Sequence, residues 1–337
     1  MSEFIILMLG IGINLIIMFS ATSLFDLVFA SDNLSGGTEG TNNAINSSLQ
    51  EIPRTSFTGS NQVKVVASFY PIFEFVEKVG GNRVDTTSLI PVGLEPHDFD
   101  PTVQQIRNAQ TADMVVFNGA GFEAEQLINM NAKFVVDTSK GLNLTRTSDG
   151  HDEENGHVDD TLIDPHIWLD PLLAKQQVEQ IRDGLIKVDA KNAEYYNKNA
   201  NSFIAELDNL DRTIRERLSN CEKKDFIAFH DAFGYFADRY SLTQHSIQGL
   251  SPEAEILPQR LQQIISLARD MGLDTIYSEE LLDPRLANVI AQEIPNGKVL
   301  VLSPIEGISK EEQNRGLGYL DKMNENIENL RLGLKCN

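Results

Sequence analysis

Residues Val63–Phe117 read VKVVASFYPIFEFVEKVGGNRVDTTSLIPVGLEPHDFDPTVQQIRNAQTADMVVF. Val63–Phe69 reads as a buried-strand run, mostly apolar apart from Lys64 and Ser68, and Ile72–Val79 has helical spacing up to a stop at Gly80-Gly81. Val84–Ile90 is the next strand, Pro101-Thr102 opens a helix through Ala112, and Met114–Phe117 is a strand again. Strands alternating with helices predict a mostly parallel sheet covered by helices. Glu123–Met130 extends the pattern as a helix and Phe134–Val136 as a strand.

The same alternation returns further on. Phe226–Phe229, Ser246–Gln248, Thr275–Tyr277 and Lys298–Leu302 read as strands. Ala232–Tyr240, Pro258–Met271, Pro284–Glu293 and Leu317–Leu334 read as helices. Between the two sets, Pro171 opens a helix to Val188, and Asp189 is placed to cap a further helix through Leu218. The predicted fold class is therefore α/β, with two Rossmann-like lobes of parallel sheet bridged by a long rigid α-helix. Residues 62–170 form the N-terminal lobe, 171–222 the bridging helices and 223–337 the C-terminal lobe. Residues 138–164 lack periodicity and carry the acidic segment GHDEENGHVDD with His151 and His157, which predicts a surface loop.

The first 61 residues lie outside this pattern. Phe4–Phe29 is almost unbroken apolar sequence, with Asn14 and Asp26 among its interruptions. It is long enough to span a bilayer. Val28 and Ala30 also fit the small-residue positions before a signal-peptide cleavage point, although Glu3 stands where a positive flank is usual. Residues 1–30 are thus a signal peptide or a membrane anchor. Residues 31–61, dominated by Ser, Thr, Asn and Gly, are a flexible tether. No Cys follows the apolar run, which excludes a lipid anchor there. Both features place the folded part outside the cytoplasm, where the triplets at Asn33, Asn46 and Asn143 are glycosylation sequons.

Composition narrows the function. With 28 Lys+Arg against 49 Asp+Glu, the net charge is −21. Nucleic-acid binding needs clustered cations and is not expected. Two Cys in 337 residues exclude a disulfide-rich scaffold and a Cys-based zinc finger. Outside the cell we expect Cys221 and Cys336 to pair, the alternative being two free thiols. No HExxH, GxSxG or GxxxxGK[ST] motif is present, so zincin, hydrolase-elbow and P-loop chemistry have no support.

Ligands in open α/β sheets bind beyond the carboxyl ends of strands. His97 follows one strand, in PVGLEPHDFDP, and His230 follows another, in FIAFHDAF. Glu306 follows a third, in SPIEG, and His166 precedes the bridge, in DPHIWLDP. Three imidazoles and a carboxylate are a donor set for tetrahedral Zn²⁺, whereas Mn²⁺ leans towards carboxylates. His245 reads as structural, and Glu279 as a group behind the ligands.

At these residues the chain resembles the metal-binding subunits of zinc and manganese ABC importers, the cluster A-I solute-binding proteins. The resemblance runs from about Val63 to Leu334, through VASFYPIFEFVEKVGG, GLEPHDFDPTVQQIRNAQTADMVVFNGAGFE, DPHIWLDP, FHDAFGYFADRY, SPEAEILPQRLQQII, IYSEELLDPRLANVIAQE and KVLVLSPIEG. It implies that metal binds between two lobes, at His97, His166 and His230, for delivery to a membrane permease driven by a cytoplasmic ATPase. His230 stands where manganese members tend to have Glu, which favours zinc. Many members place an Asp ligand where this chain has Ser303; others use the Glu of NPLE, matched here by Glu306. Water or Glu279 is the alternative fourth ligand. The acidic loop lies where zinc members carry a His-rich loop, but it is short and poor in His.

The expectation is a monomeric carrier of Zn²⁺, not an enzyme. A zinc hydrolase is one alternative; it would keep a coordination position open for water and turn over an ester. A metal-stabilised surface adhesion module is the other; it would unfold when metal is removed.

Overall fold

The structure, a computed structural model, describes residues 62–97, 99–124, 127, 131–147, 162–252 and 256–337. The expected leader, tether and first two sequons, most of the Glu123–Met130 helix, and His151 and His157 lie outside the described residues.

Two four-stranded parallel sheets form the two lobes. The first holds β1 (Val63–Ala67), β2 (Val84–Ser88), β3 (Met114–Phe117) and β4 (Val135–Asp137) in the order β2-β1-β3-β4. The second holds β7 (Asp225–Ala228), β8 (Thr243–Ser246), β9 (Thr275–Ser278) and β10 (Lys298–Val301) in the order β10-β9-β7-β8. β3 and β9 are buried along their whole length, which explains the unbroken apolar character of β3; in β9 Thr275 and Ser278 are buried with Ile276 and Tyr277.

Helices follow from local signals. In α1 (Tyr70–Gly80), Ile72, Phe75, Val76 and Val79 form one buried stripe. It stops at Gly81, whose φ of +50° suits glycine and whose missing Cβ leaves room for the Tyr195 hydroxyl. α2 (Val103–Thr111) starts with a capping box between Thr102 and Gln105. α3 (Pro171–Val188) is capped by Asp170, whose carboxylate accepts from the Leu172 N–H.

Three local expectations need correction. Asp189 does not cap α4 (Ala193–Leu218); its carboxylate accepts from Asn192 Nδ2 and the Tyr196 hydroxyl instead, across a 3₁₀ turn. The short strand is Thr243–Ser246, not Ser246–Gln248. As an edge strand with no fully buried residue it leaves no apolar run to read. The ends of the acidic loop are pinned by an antiparallel pair, β5 (Arg146–Thr147) and β6 (Leu162–Ile163). The C-terminal lobe also contains α5 (Gly234–Tyr240), α6 (Pro258–Met271), α7 (Arg285–Gln292), α8 (Lys310–Arg315) and α9 (Tyr319–Leu334). The sequence reading missed α8, which buries no residue and has no apolar face.

α3 packs on α1, β3 and β4, all in the first lobe. α4, with 26 residues and a length of about 39 Å, touches α1 at one end and α5 and α9 beyond. One apolar core runs through both lobes, from Val65, Phe75 and Trp168 to Phe226, Tyr319 and Leu330. Hydrogen bonds cross with it. The Trp168 indole donates to the Pro304 carbonyl at 2.7 Å, and the Tyr319 hydroxyl donates to the Trp168 carbonyl at 2.6 Å. The site between the lobes therefore rests on a packed frame.

Cys221, before β7, and Cys336, after α9, form a disulfide across 115 residues of sequence. Backbone bonds flank it: Lys223 N–H to Leu334 at 3.0 Å and Asn337 N–H to Asn220 at 3.1 Å. These hold the native ends together without the sulfurs, so the bond acts mainly on the unfolded chain. Loop-closure entropy for this separation is on the order of 4–5 kcal/mol, an upper figure in practice. Cys221→Ser/Cys336→Ser is expected to lower the urea midpoint markedly while leaving the folded protein's zinc affinity unchanged. Equal midpoints for parent and variant would refute this.

Candidate metal centre

Four loop ends converge between the lobes. His97 sits in the turn after β2, between Pro96 and Phe99, with its ring edge-on to Phe122. His166 immediately precedes the 3₁₀ turn Ile167–Leu169 that leads into α3. His230 follows β7, and Glu306 follows β10. The strands end here because Pro91, Asp231 and Pro304 interrupt the apolar runs. Each of the four side chains thus follows a strand or precedes a helix start at the sheet's carboxyl edge.

The structure brings all four sequence-predicted residues together. Their donor atoms lie within 4.8 Å of one another. Glu306 Oε1 is 3.1 Å from His97 Nε2, 3.1 Å from His166 Nε2 and 3.3 Å from His230 Nε2. The Nε2 atoms of His166 and His230 are 3.3 Å apart. A tetrahedral zinc with bonds of about 2.0–2.1 Å has donor–donor edges of about 3.3–3.4 Å, so these four separations are already near that size. Glu306 Oε2 is buried without a hydrogen-bond partner among the described residues, a second oxygen free to meet a cation. The His166, His230 and Glu306 side chains are at most 1% exposed, against 12% for His97, so the cluster reaches solvent on the His97 side.

Carboxylates behind two of the imidazoles fix their orientation. Asp164 Oδ1 accepts from His166 Nδ1 at 2.8 Å and from the His166 N–H at 2.9 Å. Glu279 Oε1, just beyond β9, accepts from His230 Nδ1 at 2.6 Å and from the His230 N–H at 3.3 Å. A proton held on Nδ1 in this way turns the lone pair of Nε2 towards the centre once Nε2 is deprotonated. Asp164 is itself held from the other lobe: Tyr235 Oη donates to its carbonyl, and Gly234 packs so closely that a Cβ would meet its Oδ2 at 2.8 Å.

The cluster is strongly coupled in charge. Burial alone lowers the pKa of His230, but the negative charges of Glu279 and Glu306 raise it well above the usual imidazole value. For His166, burial also lowers the pKa, and hydrogen bonds to Asp164 and Glu306 raise it overall. Burial works to raise the Glu306 carboxyl; the facing charges of His230 and His97 and the bonds from His166 and His230 hold it well below its usual range. Glu95 is pushed up to about 8 by burial and then by the negative charge of Glu306, and its Oε1 faces the His97 N–H at 3.4 Å.

Glu279 was legible as a group behind the ligands; Asp164 and Glu95 were not singled out. The signal for Asp164 was available, since an Asp two residues before a His can bond that residue's N–H and ring together. Glu95 has the same spacing from His97, in EPH, but gave no sign of facing Glu306. His245 lies in β8, 3.0 Å from Asp225 Oδ1 and apart from the cluster, in keeping with a structural role.

Residues 65–333 match the family described as zinc-uptake complex component A, periplasmic. The chain is 39% identical over 279 residues to the high-affinity zinc uptake system protein ZnuA of Bacillus subtilis, covering 80% of this chain and 87% of that protein. It is 36% identical over 290 residues to the zinc-binding protein AdcA of Streptococcus pyogenes; there it covers 80% of this chain but only 56% of AdcA, about half of that longer protein. The crystal structure of the Zn(II)-bound ZnuA-like domain of Streptococcus pneumoniae AdcA superposes with a TM-score of 0.69 at 31% identity, covering 81% of this chain and 99% of that one.

Proposed function

The chain belongs to the family of periplasmic A components of zinc-uptake complexes, and on that premise we propose that it captures one Zn²⁺ between its lobes and hands it to a membrane permease worked by a cytoplasmic ATPase. The ligands in this reading are His97, His166, His230 and Glu306, with residues 62–170 and 223–337 as the two lobes. The observation that carries it is the convergence of three Nε2 atoms on one carboxylate oxygen at 3.1–3.3 Å.

Several features favour a carrier over an enzyme. Four protein donors fill a tetrahedral shell, whereas a hydrolytic zinc keeps one position for water. Three neutral imidazoles and one carboxylate leave the bound ion with a net charge of about +1, an incomplete neutralisation compatible with release. The core through both lobes does not depend on the metal, so the metal-free form stays folded, unlike an adhesion module that metal holds together. A family of uptake components implies a place outside the cytoplasm. No helix among the described residues is long and apolar enough to cross a membrane. Both cysteines are in the disulfide, and the apolar stretch Phe4–Phe29 would serve as a cleaved export signal or as an anchor.

Titration calorimetry of the metal-free protein is expected to give one tight Zn²⁺ per chain, with Mn²⁺ a poor competitor because it sits lower in the affinity order and finds only one oxygen ligand. Glu306→Gln is expected to weaken zinc less than removal of any one His, because water can take the fourth position. A parent protein that binds no zinc, or that prefers Mn²⁺, would defeat the proposal. A silent Glu306→Gln would remove only the fourth ligand from it.

A further inference from the structure

Glu306 reaches the centre from a turn that is not self-supporting. Ile305 has φ +57°, a left-handed conformation unfavourable for a β-branched residue. Surrounding groups must impose it. The Ser303 hydroxyl accepts from the Ile305 N–H at 3.0 Å and donates to Glu280 Oε1. Asn326, on α9, brackets the same residue: its Oδ1 accepts from the Ser303 N–H at 2.8 Å and its Nδ2 donates to the Ser303 carbonyl at 2.7 Å.

Glu280 in turn faces a buried cation. Lys322, on α9, has a side chain only 3% exposed, and its Nζ lies 3.2 Å from Glu280 Oε1. Glu312 also accepts from it, and the more exposed Glu325 lies 3.8 Å away. Burial opposes the charge on Lys322, but Glu280 and Glu312 keep the ammonium protonated. Buried ion pairs of this kind add little net stability over apolar side chains; conformational specificity is the better-attested reason for one. Here the pair has a definite target. Glu280 directly follows Glu279, the carboxylate that orients His230. One dipeptide therefore links two ligands that come from different strand ends, His230 through Glu279 and Glu306 through Glu280 and Ser303.

We propose that Lys322 is a positioning residue for the metal centre: through Glu280 and Ser303, its ammonium sets the Glu306 turn and the Glu279–Glu280 segment so that the Glu306 and His230 donor atoms are in register before zinc arrives. The proposal rests on the zinc-site reading above. It also accounts for Ser303, whose hydroxyl bridges Glu280 and the turn without being a ligand. Lys322 touches no ligand itself, and its nearest connection to Glu306 passes through two side chains and a backbone N–H.

The test uses the full chain with Lys322→Met and Ser303→Ala. Three quantities are measured: zinc affinity by competition with a chromophoric chelator, the ligand-field absorption of bound Co²⁺, and the melting temperature of the metal-free protein. The expected result for each folded variant is a loss of about 10–100-fold in zinc affinity, the range for outer partners of metal ligands. An altered Co²⁺ spectrum should accompany it, because the geometry around the ion changes. A merely structural role would lower the melting temperature but leave the Co²⁺ spectrum and the affinity of the folded protein as in the parent. The two losses should also be non-additive, since both variants break one line of contacts. If Lys322→Met does not fold, Ser303→Ala, which removes a single oxygen, decides. Parent-like zinc affinity and Co²⁺ spectrum in the folded variants overturn the proposal. Absence of zinc binding by the parent would instead overturn the zinc reading on which it stands.

Discussion

His230→Ala is expected to lower zinc affinity by more than the roughly 10–100-fold that loss of an outer partner costs. It removes a bond to the ion and at the same time strands two buried carboxylates. Glu279 loses the ring donor at 2.6 Å and Glu306 loses one of its three imidazole neighbours. A buried charge without its partner is costly, so the site also becomes a poorer place for the remaining ligands. The metal-free variant stays folded, because the core that joins the lobes does not include the ring. Competition against a chelator of known affinity reads the effect. A variant that binds zinc as the parent does would show that His230 is not a ligand.

Acid is expected to empty the site, beginning at a higher pH than an unperturbed imidazole would set. The folded pKa values of His166 and His230 are raised from the unfolded 6.5 by Asp164, Glu279 and Glu306. In the metal-free protein both rings therefore keep their second proton to higher pH than a free imidazole does, His230 most strongly. Zinc must displace the Nε2 proton of each, so below the raised values two protons leave per ion bound. Affinity then falls by about 100-fold for each unit of acidification. Stability of the metal-free protein runs the opposite way. Because the His values are raised, their contribution is complete below 6.5 and is lost as pH rises through the folded values. Glu306 is depressed, so its contribution is present above 4.5 and is lost as pH falls through its lower folded value. The cluster thus supports the metal-free protein best between about pH 4.5 and 6.5. The zinc-induced rise in melting temperature should grow from about pH 5 to pH 8. A rise that is flat across that range, or largest in acid, would refute this charge assignment.

The parts of this account that were legible in sequence share one property: their signal is local. β1, β3 and β7 are short, mostly apolar and largely buried runs, and His97, His230 and Glu306 each lie in the loop after a strand, β2, β7 and β10 respectively. DPHIWLDP marks itself by its Pro-bounded turn and helix start. What was not legible depends on contacts between distant segments. β8 exists because Thr243–Ser246 pairs with β7 and not because it is apolar. Asp189 has the chemistry of a helix cap, but Tyr196 and Asn192 compete for its oxygens. Lys322 on an amphipathic helix reads as a solvated charge; only the return of Glu280 and Glu312 onto α9 buries it. Glu95 likewise gives no sequence sign that Glu306, more than 200 residues away, will face it.

X-ray absorption at the zinc edge of the loaded full-length protein tests the central claim most directly, because it reads the donor atoms themselves. Four light donors are expected, three of them imidazole nitrogens at about 2.0–2.1 Å with the outer-shell scattering of the rings, and one carboxylate oxygen. A shell containing sulfur, a shell with fewer than three imidazoles, or a six-oxygen shell would contradict it.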